Sequence, residues 1–97
     1  MAVYVLLEGN LKEGEVDSFS ELCREAFKQT RAFDGCQNIE LTYNVEKPGN
    51  FVLNELWDSK AHYEKYLAFR LGDGTVETIR SLCADEPSIR IFDVIET

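Results

Sequence analysis

Glu55 and Trp57 are the residues of this 97-residue chain whose types and spacing point most directly to chemistry. They lie two positions apart in a strand-like segment, residues 51–57, and side chains two apart in a strand share a face. Leu53 has the same parity, so Glu55 is predicted to be a carboxylate on an apolar face. Burial there would raise its pKa and make it a candidate proton acceptor. The alternative is that Glu55 faces a dimer interface or a sheet edge and pairs with an arginine.

Trp57 and Asn54 are candidate substrate contacts in the same strand. Trp57 is the only tryptophan, and an indole offers a cavity both an apolar wall and one N–H donor. The alternative is that it only packs in the core. Asn54 has the opposite parity from Trp57, so it reaches the same face only if the strand contains a bulge.

A second group of candidates lies on the helix predicted to follow this strand. His62, Tyr66 and Arg70 recur every four residues, which places an imidazole, a phenol and a guanidinium along one stripe. His62 and Tyr66 are candidate catalytic proton partners, and Arg70 and Tyr63 are candidate substrate contacts. A solvated or structural His62 and a merely packed Tyr66 are the alternatives. Arg31 is a further candidate anion anchor, with a helix-terminal salt bridge as its alternative.

The composition excludes several classes of function. Eighteen acidic and ten basic residues give a net charge of -8, which repels nucleic-acid phosphates and anionic lipid, so neither nucleic acid nor membrane is an expected partner. The three cysteines lack the spacing of a zinc site or a disulfide framework, so no metal is expected. The first residues lack a basic lead and a cleavage site, and no apolar run approaches membrane-spanning length. We therefore expect a soluble, unprocessed, cytoplasmic protein.

The hydrophobic pattern predicts one α+β domain over residues 1–97, with the ferredoxin-like order βαββαβ and an antiparallel sheet under one layer of helices. A Pro-Gly turn at Pro48 and Gly49 joins the two middle strands into a hairpin. Predicted strands are residues 3–8, 39–45, 51–57 and 89–95; predicted helices are residues 16–31, a segment from 59 to the glycines at 72 and 74, and residues 76–83.

The first and last strands are apolar on both parities, so one layer of helices cannot cover both faces of the sheet. In the first strand Val5 points one way and Leu6 the other. An apolar sheet face of this size is typical of an interface. Either Val5 or Leu6 is therefore expected to face a partner.

The region around Glu55 and Trp57 resembles the antibiotic biosynthesis monooxygenase-like family of dimeric α+β barrels. The resemblance rests on the order of Thr30-Arg31, Gly35-Cys36, Tyr43, Phe51, Glu55, Trp57, Ser59 and Ala61. It implies an isologous homodimer in which two sheets pack face to face with the helices outside.

The family includes quinone-forming monooxygenases, haem degraders and isomerases of small signal molecules. Tyr66 stands where many members carry a histidine, and the haem degraders bind iron through that histidine, so we expect no haem and no other cofactor.

The resemblance favours a cofactor-independent monooxygenase that uses dioxygen to oxidise a small phenolic or hydroquinone-like aromatic molecule in a pocket between sheet and helices. Such chemistry needs an apolar pocket that favours the ionised phenol and excludes water. The alternatives are a non-catalytic or ligand-binding barrel protein and an isomerase of a small hydroxy-ketone signal.

Overall fold

The four strands form one antiparallel sheet, and three helices lie on one of its faces. The structure, a computed structural model, describes residues 1–97. In chain order the elements are β1 (Val3–Asn10), α1 (Val16–Arg31), β2 (Cys36–Tyr43), β3 (Asn50–Trp57), α2 (Lys60–Asp73), α3 (Thr75–Leu82) and β4 (Ser88–Asp93). The strand order β2-β3-β1-β4 confirms the predicted ferredoxin-like arrangement. None of the helices is both long enough and apolar enough to cross a lipid bilayer.

Local sequence signals explain where the helices begin and end. α1 spans the predicted residues, with a buried stripe that recurs every three or four positions along it. The Ser59 hydroxyl caps α2 by accepting a hydrogen bond from the His62 backbone N–H at 3.2 Å. α2 ends at Gly74, whose φ of 87° lies in the left-handed region that favours glycine. The prediction for the last strand was too long, because β4 stops pairing with β1 at Asp93.

The register of β1 and β3 fixes which side chains lie under the helices. Val5 of β1 pairs with Glu55 of β3 and with Ile91 of β4, and Ile39 of β2 is the other cross-strand neighbour of Glu55. Because strand faces alternate, the helix-facing residues of β3 are Phe51, Leu53, Glu55 and Trp57, all of them buried. The parity predicted for Glu55 and Trp57 is confirmed.

Two apolar clusters fill the space between the sheet and the helices. The larger one joins α1 to the sheet around Phe19 and Phe51, whose ring centroids are 4.4 Å apart. The smaller one joins α2 to the sheet and consists of Val3, Val5, Trp57, Tyr63 and Tyr66. A buried carboxylate, Glu55, therefore lies on a face that is otherwise packed with apolar and aromatic side chains.

The opposite face of the sheet has no covering layer. Leu6 and Leu56 there are half-buried, while Tyr4 and Phe92 are exposed. All residues of β4 are exposed, both those on the helix-facing side of the sheet and those on the open side. An apolar surface of this kind is typical of an interface, and the open face carries Leu6 rather than Val5.

The homodimer stays a prediction, and the open face gives its test. Leu6→Asp should convert a dimer into monomers or aggregates, because it places a charge in the centre of the proposed contact. Leu71→Asp, the same change at an exposed position on α2, should leave the dimer intact. Sedimentation equilibrium at micromolar concentration measures both. A monomeric unmodified chain would refute the face-to-face assembly.

Candidate functional site

Glu55 is buried at the centre of the sheet's helix-facing side, with 3 % of its surface exposed. Its Oε1 accepts a hydrogen bond from the indole Nε1–H of Trp57 at 3.0 Å. Its other oxygen, Oε2, has no hydrogen-bond partner in the protein. No arginine pairs with this carboxylate and it faces the helices, so the alternative of an edge or interface position is wrong.

The surroundings of Glu55 raise the pKa of its carboxyl towards neutral pH. Burial raises the pKa of the carboxyl from its ordinary 4.5 to about 7, and the hydrogen bond from Trp57 offsets part of that rise. A carboxyl with a pKa near 7 is divided between its acid and base forms at physiological pH. Glu55 can therefore both accept and return a proton.

A small cavity of about 40 Å³ lies between the sheet and the helices, and Glu55 is one of its lining residues. Its walls are mostly apolar, with contributions from β1, β3 and all three helices. Tyr63, Tyr66 and Arg70 supply its other main polar groups. Three of the predicted site residues are thus brought together with Glu55.

The Tyr63 hydroxyl is the second group at this cavity that the protein leaves without a partner. The residue is 2 % exposed, yet its hydroxyl makes no hydrogen bond to any protein atom. Burial raises the pKa of this phenol, and the nearby charge of Glu55 raises it further, so Tyr63 stays a neutral donor. Because no fully buried polar atom lacks a partner, both Oε2 of Glu55 and this hydroxyl reach accessible space.

Tyr66 and Arg70, by contrast, already have protein partners. The Tyr66 hydroxyl lies 2.7 Å from Oγ1 of Thr30 and accepts a hydrogen bond from Nε of Arg70 at 2.9 Å. Arg70 also donates to the carbonyl of Ala26 at 2.8 Å and to Asp73 at 3.0 Å. Burial raises the Tyr66 pKa, although its hydrogen bonds lower it in part. These hydrogen bonds tie α1 to α2, and both residues also line the cavity, so the roles of Tyr66 as proton partner and of Arg70 as substrate anchor stay predictions.

Trp57 is fully buried behind Glu55 and is not part of the cavity wall. Its ring centroid lies 4.8 Å from that of Tyr66 and 6.0 Å from that of Tyr63. The structure places Trp57 in contact with Glu55 and not in the cavity wall, and its role towards a substrate stays a prediction. The indole fixes one carboxylate oxygen and leaves the other facing open space.

His62 and Asn54 lie away from the cavity, so their predicted places in it are wrong. His62 is at the first turn of α2, where Nδ1 lies 2.7 Å from the Ser59 hydroxyl and Nε2 lies 3.7 Å from Asp34. A Cβ at Gly35 would lie 2.5 Å from the His62 side chain, so the imidazole packs against that turn. Asn54 lies on the open face and donates to Thr42 at 2.8 Å, because β3 contains no bulge to turn it over.

Thr30 is the structural residue that inspection of the sequence missed. It is fully buried near the end of α1 and links Tyr66 and Arg70 through its hydroxyl. The sequence signal for its burial is the three-residue spacing from Phe27, which places both residues on the same face of α1. No three histidine, cysteine or acidic side chains lie close enough together to hold a metal ion.

Several solved structures have the same fold as this chain. A conserved protein from Methanosarcina mazei Go1 superposes with a TM-score of 0.87 at 18% identity, covering 95% of this chain and 91% of that chain. An antibiotic biosynthesis monooxygenase gives 0.84 at 22% identity, covering 97% and 99%. Rv0793 from Mycobacterium tuberculosis gives 0.79 at 18% identity, covering 100% and 98%. At these identities the likeness establishes the fold alone.

The family assignment rests on the sequence itself. No protein in the curated set matches the chain. The family model described as antibiotic biosynthesis monooxygenase matches residues 2–69, which include β1 to β3 and most of α2 together with Glu55, Trp57 and Tyr63. The chain belongs to the antibiotic biosynthesis monooxygenase family.

Proposed function

We propose that the chain is a cofactor-independent monooxygenase that oxidises a small phenolic or hydroquinone-like compound, with Glu55 as the proton acceptor. One observation carries the proposal: Oε2 of Glu55 and the Tyr63 hydroxyl both lack protein partners at one apolar cavity. An apolar enclosure with a few convergent polar groups is the usual form of a small-molecule site. The family membership supports an oxygenase reaction in particular.

The two groups have complementary tasks towards a phenol. Glu55, with a pKa of about 7, takes the phenolic proton. Tyr63 remains protonated and donates a hydrogen bond to the phenolate oxygen, which stabilises the negative charge. Trp57 is a positioning residue, because its indole N–H holds the other oxygen of Glu55. The apolar walls limit the access of water to the phenolate.

The reaction balances without a further reductant. The phenolate passes an electron to dioxygen, and recombination forms a carbon–oxygen bond at the para carbon as a hydroperoxide. Loss of the hydrogen on that carbon and cleavage of the O–O bond then release water and leave a quinone. Glu55 returns the phenolic proton to the peroxide to complete the hydroperoxide, and the proton lost from the para carbon joins the departing hydroxide as water, so that phenol and dioxygen become quinone and water.

The cavity is small for an aromatic substrate, so the proposed reaction requires it to widen. A buried water needs roughly 10–15 Å³, so about 40 Å³ holds about three or four waters. An aromatic ring needs more room, so a wall must move when it binds. Leu22, Leu67 and Thr75 are half-buried lining residues from three different helices, and their displacement would widen the cavity. The substrate is therefore a small, flat molecule.

The same geometry supports a second candidate, the isomerisation of a small hydroxy-ketone. A glutamate base and a neutral phenol donor can move a proton between adjacent carbons through an enediol. The small volume of the cavity favours this candidate over any large substrate. Incubation with hydroxyacetone in deuterium oxide distinguishes the two, since isomerisation exchanges carbon-bound hydrogen without consuming oxygen.

Replacement of Glu55 tests the proposed base. Glu55→Gln keeps the shape of the side chain but cannot accept the proton, and should lower kcat/KM for the oxidation of phenol, whose para carbon carries a hydrogen, by about 10² to 10⁴-fold. An oxygen electrode measures the rate. In the unmodified protein kcat/KM should rise as the pH passes through about 7, and this inflection should disappear in the variant. Glu46→Gln, in the exposed turn before β3, is the matched control. Equal rates for Glu55→Gln and the unmodified protein would disprove the assignment.

The two tyrosines provide a matched pair of variants. Tyr63→Phe should weaken hydroquinone binding roughly two- to tenfold with little loss of stability, because its hydroxyl has no protein partner. Tyr66→Phe should lower the free energy of unfolding by about 1–3 kcal/mol, because it leaves Arg70 Nε without an acceptor. Quenching of Trp57 fluorescence measures binding, and urea unfolding measures stability. If the two variants exchange these effects, Tyr66 and not Tyr63 is the ligand contact.

The pKa of Glu55 also predicts how stability depends on pH. A carboxyl whose pKa rises on folding stabilises the protein below its unfolded pKa of 4.5, and that stabilisation is lost as the pH rises through about 7. The loss should reach about 3 kcal/mol for this group. Urea unfolding at about pH 5 to about pH 8 should therefore show a steeper decline for the unmodified protein than for Glu55→Gln. Parallel curves would mean that Glu55 titrates near its ordinary pKa.

A further inference from the structure

A second and larger cavity lies beside the Glu55 cavity. It is a groove of about 390 Å³ between α1 and β2, which is an edge strand of the sheet. Cys23 and Phe27 line both cavities and form the wall between them. The groove falls within the roughly 300–1,000 Å³ typical of small-molecule sites. The proposed monooxygenase chemistry makes no use of it.

Arg31, at one end of this groove, is the only arginine of the chain without a carboxylate partner. Each of the other four arginines forms an ion pair. The chain has eighteen acidic and only ten basic residues, so carboxylates outnumber the cationic side chains that could pair with them. An arginine without a carboxylate partner is therefore unexpected. The helix-terminal salt bridge considered for Arg31 is therefore wrong. Its positive charge remains available to an anionic ligand.

The Arg31 guanidinium is also held in place. Nη2 donates to the backbone carbonyl of Ile39 at 3.0 Å, and the guanidinium carbon lies 5.6 Å from the ring centroid of Phe27. Its Nε and Nη1 donors have no protein partner. A guanidinium with a fixed plane and free donors suits a carboxylate, whose two oxygens match the fork of N–H groups. Although Arg31 is exposed, these two contacts reduce the side-chain entropy that is lost when a ligand binds.

The rest of the groove limits the ligand to one negative charge. Arg24 already pairs with Glu21 at 2.9 Å. At the end away from Arg31, the hydroxyls of Ser20 and Tyr43 lie 2.8 Å apart. Burial raises the Tyr43 pKa, and the charge of Asp17 on α1 adds a smaller rise. A second carboxylate there would meet the acidic side chains of α1. Between the two ends, Phe27 and Leu41 present an apolar floor.

We propose that this groove binds a small organic monocarboxylate with an apolar or aromatic body. Arg31 holds the carboxylate, and Phe27 and Leu41 contact the body. Hydrogen-bonding groups on the far end of the ligand can reach Ser20 and Tyr43. This site is separate from the Glu55 cavity, because it rests on different polar groups and lies between α1 and β2.

A titration with benzoate, followed by ¹H–¹⁵N correlation spectra of the full chain, tests the site. Saturable shifts are expected at the amides of residues 20–31 and 39–43. Arg31→Gln should weaken benzoate binding at least about tenfold, since a charge-assisted pair is lost. Arg31→Lys, which keeps the charge without the fork, should have an intermediate affinity. Benzamide, the neutral analogue of the same shape, should bind the unmodified protein as weakly as benzoate binds Arg31→Gln.

The matched control is Arg80→Gln, which removes the same charge from an arginine outside the groove that pairs with Glu86. It should bind benzoate like the unmodified protein, which separates local recognition from the effect of net charge. Three results would overturn the proposal: no saturable shift, equal affinity of Arg31→Gln and the unmodified protein, or shifts confined to the amides around Glu55. The last result would place the carboxylate in the inner cavity instead.

Discussion

The two-residue alternation of β3 is the constraint on which the rest of the site depends. It places Glu55 between Leu53 and Trp57 on the helix-facing side, opposite Val5 and Ile39 on the neighbouring strands. An ionised carboxylate in such surroundings loses hydration that one hydrogen bond from an indole cannot replace. The group therefore keeps its proton up to near-neutral pH and requires accessible space beside its second oxygen. The cavity between sheet and helices supplies that space.

Tyr63 and Tyr66 lie one helical turn apart on α2, but only the Tyr66 hydroxyl accepts a hydrogen bond from Arg70. Arg70 binds the Tyr66 hydroxyl and Thr30, and it reaches Asp73 at the end of α2. A buried guanidinium is tolerated only when its donors are satisfied, and these partners satisfy it. Tyr66 is thereby committed to the packing of α1 against α2. Tyr63 has no such partner, which leaves its hydroxyl free for a ligand.

Short-range patterns made most of the fold predictable, and strand parity placed Glu55 on one face with Leu53 and Trp57 but did not decide whether that face is buried under the helices. The partners of the helix residues were not predictable in this way. A four-residue repeat placed His62 on one stripe with Tyr66, but the cap of α2 engages the imidazole with Ser59. The partner of Tyr66 is Thr30, thirty-six positions earlier, and only the packing of α1 on α2 brings the two together. Local spacing carries no information on such distant contacts.

The burial of Glu55 also runs against the stability of a small protein. Domains of this size have net stabilities of about 5–15 kcal/mol. Ionisation of a buried carboxyl above neutral pH therefore removes a substantial part of the free energy of unfolding. An amide or an apolar residue would fit the same strand position without that cost. Natural proteins accept such local losses chiefly at functional sites. The packing of the core alone gives no reason for a carboxyl at this position, whereas the proposed proton transfer uses both Oε2 of Glu55 and the Tyr63 hydroxyl, which have no protein partner.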